Sequence, residues 1–296
     1  MEMVIASPPM TLRAGFIGLG DIGLPMAKRL ASGGLATTVL DLVPERVREL
    51  EAAGARGAAS PREVAAASDV IGVCVRNDAD VRAVMNGADG ILAGAARGAV
   101  VAIHSTVLPA TVEEVAALAA PSGVVVIDAC ITGGAGGAAQ GTLTVMAGGD
   151  PAAIERARPF FDCFAKKVAH TGPLGTGCKM KLCNNLMTYL AWASIYEATM
   201  LARAAGLSQE VLEEVTTSNG NLTEPMRLFI ATHKIPAEMR TSEAFQHRMR
   251  GFVEIAEKDL AATLALAREC GITLPATATV SQMMARVYAL EDPKRR

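Results

Sequence analysis

Residues 14–30 read AGFIGLGDIGLPMAKRL, and this stretch decides the fold. A short apolar run leads into three glycines at the spacing Gly-x-Gly-x-x-Gly, and a segment with helical spacing follows. This order predicts a strand, a tight turn and a helix, as in the phosphate-binding turn of a Rossmann fold. We expect Gly18 to allow the turn, Gly20 to let the backbone approach a pyrophosphate, and Gly23 to let the helix pack on the strand. A purely structural turn is the alternative, since the chain is rich in glycine.

An acidic residue at the end of the next apolar run supports the dinucleotide interpretation. Asp41 is the penultimate residue of TTVLDL and follows Gly23 by roughly the twenty residues typical of this fold. Its carboxylate is expected to accept hydrogen bonds from a ribose and to repel a 2′-phosphate, which favours NAD and disfavours NADP. A simple turn or cap is the alternative role. The cofactor-binding residues predicted from this region are Gly18, Leu19, Gly20, Asp21, Ile22, Gly23 and Asp41.

The rest of the chain divides into two parts with different patterns. Apolar runs such as DVIGVCV, AVVAIHST, GVVVIDA and TLTVMAG alternate with alanine-rich helical segments, which predicts an α/β Rossmann domain with a doubly wound parallel sheet over residues 13–172. From residue 177 the apolar residues recur every three or four positions. We therefore predict an all-helical domain over 173–296 that begins with a helix over 177–205.

Composition excludes several classes of protein. A formal net charge of -2 gives no reason to expect a nucleic-acid partner. The first residues lack the pattern of a signal peptide, and the most apolar later stretch, 186–196, is much shorter than the roughly 20 residues that cross a bilayer. Six cysteines without a Cys-x-x-Cys pair indicate reduced, mostly buried thiols rather than a metal site. We expect a cytoplasmic protein without a membrane span or a metal.

The helix over 177–205 is apolar on nearly every side, so several of its faces need to be covered. A second subunit is one way to cover them. We therefore expect a homodimer or homotetramer.

The segment GPLGTGCKMKLCNN, residues 172–185, places a lysine and an amide where both can meet one small molecule. Lys181 and Asn185 are four residues apart and share a helix face, whereas Lys179 points to roughly the opposite side. A lysine acts as a base near neutral pH only when its pKa falls from about 10.4, and the positive end of a helix favours that fall. A solvated helix face is the alternative for an isolated lysine.

These motifs, together with HSTVLP at 104–109, DACITGGAGGAAQGTLTVMAGG at 128–149 and EKDLAATLA from residue 257, resemble the β-hydroxyacid dehydrogenases. This is the family of 3-hydroxyisobutyrate dehydrogenase and tartronate semialdehyde reductase. The resemblance implies NAD-dependent interconversion of a small 3-hydroxy acid and the matching aldehyde or keto acid. The hydroxyl proton would pass to a catalytic lysine, so no metal is needed.

The resemblance also assigns residues. It implies that Lys181 is the catalytic acid or base and that Asn185 belongs to the catalytic pair. It implies further cofactor contacts from Val75, Thr106 and Lys258. It places the substrate carboxylate on Thr132, Gly133 and Gly134, in a segment interpreted as a loop with exposed amides. Phe252, six residues before Lys258, is a candidate for the wall of the substrate pocket. From the residues alone, Lys258 is a surface lysine that can pair with Glu254, and Phe252 can belong to the core.

Departures from the family pattern bear on the substrate. Ile22, Ile103 and Cys130 stand where the family often has Met, Asp and Pro. Cys130 removes a proline just before the predicted carboxylate segment, so it can alter that segment or make it sensitive to thiol reagents. Thr132 replaces a serine and adds a methyl group.

Three alternatives remain. A 6-phosphogluconate dehydrogenase has a longer helical domain and a histidine where Asn184 stands. Imine reductases share the architecture but lack the lysine at position 181. A non-catalytic dinucleotide-binding scaffold would lose Lys181, Asn185 and Lys258, all of which this chain retains.

Overall fold

The computed structural model describes residues 12–292, which form two compact units. The first unit extends to Lys181 and the second begins at Leu182. The predicted domain boundary, after residue 172, lies earlier in the chain. The first eleven residues, on which the prediction of no signal peptide rests, and residues 293–296 lie outside the described range.

The first unit is built on one sheet of eight strands in the order β3-β2-β1-β4-β5-β6-β7-β8. The strands are β1 (Arg13–Ile17), β2 (Ala36–Leu40), β3 (Arg56–Gly57), β4 (Val70–Val73), β5 (Val100–Ile103), β6 (Val125–Thr132), β7 (Leu143–Gly148) and β8 (Ala165–Gly172). The order of the first six is that of a doubly wound dinucleotide-binding fold, which confirms the predicted fold class.

One strand pair departs from the predicted parallel arrangement. β6 and β7 are antiparallel, with Asp128 opposite Gly148 and Thr132 opposite Thr144. The connection over residues 133–142 is shorter than the dozen or more residues that a parallel crossover needs. The chain therefore turns back beside β6 instead of crossing the sheet.

Helices cover both faces of this sheet. They are α1 (Gly23–Ser32), α2 (Pro44–Glu51), α3 (Pro61–Ala66), α4 (Asp78–Met85), α5 (Ile91–Gly94), α6 (Pro109–Ala119), α7 (Gly134–Gln140), α8 (Pro151–Arg156) and α9 (Arg158–Phe161). Neighbouring residues of a strand enter separate hydrophobic clusters: Phe16 packs in one and Ile17 in the other. A strand buried on both faces reads as a continuous apolar run, as the strand segments of the sequence do.

The second unit is helical, as predicted. Its helices are the later part of α10 (Thr176–Ala204), then α11 (Gln209–Ser218), α12 (Glu224–His233), α13 (Ala237–Arg240), α14 (Glu243–Glu269), α15 (Pro275–Ser281) and α16 (Met284–Val287). α14 contributes Met249, Val253, Ala256 and Leu260 to the core of this unit. Their spacing of three and four residues gives one continuous apolar stripe.

All six cysteines are free, but their burial differs from the prediction. Cys130 and Cys178 are buried, whereas Cys183 and Cys270 are exposed. The prediction of mostly buried thiols is therefore wrong. Among residues 12–292, no helix is both long and apolar enough to cross a membrane.

Candidate active site

The glycine-rich turn lies between the end of β1 and the start of α1. Gly18 has a φ of +94°, and a Cβ there would lie 2.2 Å from the carbonyl oxygen of Cys74. A Cβ on Gly23 would lie 2.0 Å from the carbonyl oxygen of Gly18. Both positions therefore require glycine, one for the turn and one for the close approach of the helix.

Gly20 differs from these two glycines because no heavy atom lies within 4 Å of its would-be Cβ. The turn is thus tightly packed at Gly18 and Gly23 and leaves free space at Gly20. A backbone that binds a diphosphate needs such free space. Leu19 is fully buried in the core, and Asp21 is exposed. The described turn fits a dinucleotide, and its individual contacts with the cofactor stay predictions.

Asp41 follows β2 and is held by the turn itself. Its Oδ2 accepts a hydrogen bond from the amide of Leu19 at 2.6 Å, and its Oδ1 accepts one from the amide of Val43 at 2.8 Å. The Arg46 guanidinium lies 3.6 Å from Oδ1. The carboxylate therefore has the turn-stabilising role that was the alternative, and each oxygen keeps a second lone pair for a ribose hydroxyl.

Val75 and Thr106 follow β4 and β5, two neighbouring parallel strands. The amide of Val75 donates to the Ser105 hydroxyl at 2.8 Å. Because β1, β4 and β5 run parallel, their carboxyl ends share one edge of the sheet with the glycine-rich turn. In open α/β sheets, ligands bind at this edge.

The predicted carboxylate segment begins at the last residue of β6. Thr132 ends the strand, and Gly133 and Gly134 have φ values of 125° and 64°. Gly133 caps α7 and Gly134 is its first residue, so a helix follows the strand instead of the predicted loop. Gly133 and Gly134 are both exposed, so backbone donors at the start of α7 are open to an anion.

Lys181 reaches this segment from α10. Its Nζ donates a hydrogen bond to the carbonyl oxygen of Ile131 at 2.7 Å, and Ile131 immediately precedes Thr132. Lys179 is exposed on the same helix. The first unit therefore brings the predicted acid or base next to the predicted carboxylate segment.

Cys130 lies in the same strand and faces another thiol. Its Sγ is 3.7 Å from Cys178 Sγ, and it also donates to the carbonyl oxygen of Ser105. The hydrogen bond with Cys130 and burial together raise the pKa of Cys178 far above its usual range. At neutral pH the Cys178 sulfur is therefore a thiol and not a reactive thiolate.

In the second unit, Asn185 is tied to a carboxylate that the sequence analysis did not single out. Its Nδ2 donates to Oδ2 of Asp259 at 2.7 Å, and the Tyr189 hydroxyl donates to the same oxygen at 3.2 Å. Burial, the charge of Asp259 and the neighbouring Tyr288 raise the pKa of Tyr189 well above its usual range. The phenol therefore stays protonated and serves as a donor.

Lys258 and Phe252 lie on α14 in the second unit. Lys258 Nζ is 3.3 Å from Asp259 Oδ1, which gives Lys258 an ion pair with the next residue in the chain. Phe252 packs against the core of this unit, with its ring stacked on Tyr288 at 5.9 Å between centroids. The position of Phe252 agrees with its core interpretation, and its role as a pocket wall stays a prediction.

Asp128 and Asp259 are the two functional candidates that sequence reasoning missed. Both lie inside quoted motifs, DACITGG and EKDLAATLA: Asp128 interrupts an apolar strand, and Asp259 falls on the buried stripe of α14. A charged residue at a position that the pattern predicts to be buried is the signal that would have found them.

A Rossmann sheet with an open glycine at its turn and an acidic residue after β2, followed by a helical unit, defines the class of NAD(P)-binding oxidoreductases. Residues 13–172 match the family model described as the NAD binding domain of 6-phosphogluconate dehydrogenase. Residues 175–295 match the model described as the NAD-binding of NADP-dependent 3-hydroxyisobutyrate dehydrogenase. The chain belongs to the β-hydroxyacid dehydrogenase family.

Similar proteins span nearly the whole chain. A 2-(hydroxymethyl)glutarate dehydrogenase of Eubacterium barkeri is 32% identical, with 92% of this chain and 88% of the relative covered. An NAD-dependent L-serine dehydrogenase of Pseudomonas aeruginosa is 33% identical, with coverages of 93% and 90%. The solved structure of a Mycobacterium tuberculosis 3-hydroxyisobutyrate dehydrogenase with L-serine is 30% identical, with a TM-score of 0.78 and coverages of 95% and 94%.

Proposed function

We propose that this chain interconverts a short 3-hydroxy acid and its semialdehyde or keto acid, with Lys181 as the general acid or base and NAD as the preferred cofactor. The observation that carries the proposal is the 2.7 Å hydrogen bond from Lys181 Nζ to the carbonyl oxygen of Ile131. It places an amine one residue before the segment suited to a carboxylate. An acid whose hydroxyl is close to its carboxylate is the right size to place the hydroxyl at the Lys181 amine and the carboxylate at this segment.

The carboxylate would be held by Thr132, Gly133 and Gly134. The threonine offers a hydroxyl donor, and the two exposed glycines leave backbone amides without side chains in the way. The names of the similar proteins support this substrate class. Serine, 3-hydroxyisobutyrate and 2-(hydroxymethyl)glutarate all carry a hydroxyl on the carbon β to a carboxylate.

The chemical step divides between the cofactor and the lysine. NAD, when bound, supplies the acceptor for the hydride that leaves the carbinol carbon. The neutral amine of Lys181 takes the hydroxyl proton and becomes an ammonium, so the carbon is oxidised to a carbonyl and charge is balanced. In the reverse direction the ammonium returns the proton to the forming alkoxide. One amine hydrogen held by Ile131 orients the nitrogen for this transfer.

Asp41 supports the preference for NAD. Its carboxylate lies at the end of β2 and is oriented by two backbone amides. A fixed negative charge there attracts ribose hydroxyls and repels a 2′-phosphate. Arg46, 3.6 Å away, moderates that repulsion and would favour NADP if Asp41 were absent.

The second unit contributes Asn185 and Lys258 to this proposal. Asn185 follows Lys181 by one helical turn on α10, so its amide would contact the same substrate hydroxyl. Lys258 would contact the cofactor, and Phe252 would border the substrate. Self-association would use the second unit, where Met187, Leu201 and Leu228 are more than half exposed.

Turnover tests the proposal directly. Purified protein is assayed with NAD and with NADP over 3-hydroxyisobutyrate, 3-hydroxypropionate, glycerate, serine and 2-(hydroxymethyl)glutarate, for wild type, Lys181→Ala and Lys179→Ala. We expect one or more acids to be oxidised with NAD, a loss of about 100-fold to 10,000-fold in kcat for Lys181→Ala, and little change for Lys179→Ala.

The pH dependence identifies the role of the lysine. Oxidation needs the neutral amine, so the wild-type rate is expected to rise with pH through the kinetic pKa of Lys181, and this acidic limb is expected to vanish in Lys181→Ala. Binding of NAD without turnover of any acid would favour the scaffold alternative. Turnover of an imine or an unrelated ketone would move the chain to another reductase activity.

A further inference from the structure

Asp128 is a buried carboxylate on β6 that contacts the start of α10. It is fully buried, and the sheet pairs it with Gly148 on β7. Its Oδ1 accepts a hydrogen bond from the amide of Gly175 at 2.8 Å, and its Oδ2 accepts one from the amide of Cys178 at 2.7 Å. Gly175 immediately precedes α10 and Cys178 lies in its first turn, where amides have no partner within the helix.

The contact leaves no free space. A Cβ on Gly148 would lie 2.5 Å from Asp128 Oδ1, and a Cβ on Gly177 would lie 2.8 Å from Oδ2 and 2.5 Å from the carbonyl oxygen of Met146. Two glycines therefore let the strand and the helix close around the carboxylate. An acceptor with two oxygens that binds two amides determines both the rotation and the axial position of the first helical turn.

The same strand contacts the same helix a second time. Ile131, three residues after Asp128, accepts the hydrogen bond from Lys181, three residues after Cys178. Three residues advance about 10 Å along a strand and about 4.5 Å along a helix, and the long lysine side chain covers the difference. The Asp128 contact thus sets the place from which Lys181 reaches the carbonyl of Ile131.

We infer that Asp128 is a positioning residue, which holds the start of α10 so that the Lys181 amine lies beside the Thr132–Gly134 segment. This inference rests on the proposed function for its catalytic consequence. Asp128 touches neither substrate nor cofactor in this scheme and acts through the helix. Because misplacement of a catalytic group by about 1 Å costs about 100-fold in rate, loss of this contact is expected to lower kcat strongly.

The test uses Asp128→Asn, which keeps the size of the side chain but leaves one oxygen to accept from two amides. We expect kcat to fall about 10-fold to 100-fold while the dissociation constant for NAD stays unchanged, since the glycine-rich turn lies on other strands. Asp150→Asn is the matched control. Asp150 caps α8 in the same unit through the amide of Ala152, and its loss is expected to leave kcat unchanged.

A double-mutant cycle separates positioning from general damage. If Asp128 acts through Lys181, Asp128→Asn has little effect on the residual kcat once Lys181→Ala is present. If Asp128→Asn lowered kcat by the same factor in the wild-type protein and in Lys181→Ala, the inference would be overturned. A wild-type kcat in Asp128→Asn would overturn it as well.

A readout independent of activity keeps this inference distinguishable from the proposed function. Competitive labelling with acetic anhydride, read by mass spectrometry, compares the amines of Lys181 and Lys179. In Asp128→Asn we expect the Lys181 labelling rate to change at least about threefold, because the amine leaves Ile131, while Lys179 labels as in wild type. Unchanged labelling of Lys181 would contradict the inference even if the enzyme acts on another substrate.

Gly177→Ala provides a second variant if Asn at position 128 prevents folding. It keeps the carboxylate but inserts a methyl group against Asp128 and Met146, which pushes the helix away from the strand. The same fall in kcat and the same change at Lys181 are expected. Wild-type behaviour of this variant in both measurements would overturn the inference.

Discussion

The side-chain amide of Asn185 donates to Asp259 across 2.7 Å, which connects α10 to α14 within the second unit. The amide oxygen of Asn185 in turn accepts from the Asn184 side chain at 3.3 Å. Asp259 therefore decides which end of the Asn185 amide faces α14. Lys258, next to Asp259 in the chain, is held by the same carboxylate. One buried acid thus contacts Asn185 and Lys258, the two polar functional candidates of this unit.

Asp259→Asn is expected to lower both the stability and the activity of the enzyme. The substitution keeps the shape but replaces one acceptor oxygen by a donor, so the Asn185 amide has to turn or lose its partner. We expect a loss of about 1 to 3 kcal/mol in unfolding free energy and at least a tenfold lower kcat/KM. Urea unfolding and steady-state kinetics measure the two effects. Tyr189→Phe, which removes only the phenol donor, is the milder control, and equal behaviour of the two variants would contradict the role given to Asn185.

Asp41→Ser is expected to change the choice of cofactor. The variant removes the charge that repels a 2′-phosphate and leaves Arg46 near the end of β2. We expect KM for NAD to rise about tenfold or more and KM for NADP to fall. Glu49→Ser, on the neighbouring helix α2, controls for the loss of a charge. An unchanged ratio of the two kcat/KM values would show that Asp41 serves only the turn.

His104 is expected to make stability depend on pH. Its ring lies among Phe16, Phe160, Phe161 and Phe164, its Nδ1 donates to the carbonyl oxygen of Ala129 at 2.7 Å, and burial lowers its pKa from 6.5 to about 4. Between pH 4 and 6.5 the unfolded chain therefore binds the proton that the folded chain excludes. Stability is fully present above pH 6.5 and is lost as the pH falls towards 4, by about 3 kcal/mol for this group.

Urea unfolding at several pH values between 4 and 7 checks this expectation. His104→Phe removes the titrating group and keeps an aromatic ring in the cluster. The slope of unfolding free energy against pH is therefore expected to become smaller. His247→Phe, at an exposed position, is expected to keep the wild-type slope. The same slope in all three proteins would assign the pH dependence to other groups.

The exposed face of α10 is expected to mediate self-association. Met187 and Leu201 are 73% and 71% exposed, and a spacing of fourteen residues places them on one side of the helix. Leu201→Glu is expected to lower the mass measured by sedimentation equilibrium to that of a monomer, because a charge cannot be buried unpaired in an apolar interface. Leu118→Glu on α6 is the control for adding a charge at an exposed leucine. A wild-type oligomer in Leu201→Glu would place the interface elsewhere.

Much of the fold could be predicted because strong local signals coincide. The glycines at 18 and 23 are required by contacts that any residue with a Cβ would break, and the fully buried strands appear as apolar runs. β3 was missed because it has two residues, and β8 because it carries lysines and has only one buried residue. The antiparallel pairing of β7 was missed because the length of a connection, rather than strand composition, determines direction.

The candidate site divides in the same way. Lys181 and Asn185 were predicted because helical spacing is local, and the structure adds their partners, Ile131 and Asp259, which are distant in sequence. Partners of this kind depend on the tertiary fold, and periodicity holds no information about them. The sequence alone likewise could not show that Asp41 bonds the turn, since that requires the placement of β1 beside β2.

The spacing of groups along β6 limits how the sequence of this enzyme can vary. Between residues 128 and 132 it carries the carboxylate that binds the start of α10, the thiol that faces Cys178, the carbonyl that receives Lys181 and the threonine that begins the predicted carboxylate segment. The number of residues in this part of β6 therefore determines the distances between these groups. Inserting or deleting one residue within it would reverse the faces of every later side chain. Substrate preference can therefore change through side chains outside residues 128–132, whereas the number of residues in this part of β6 has to stay the same.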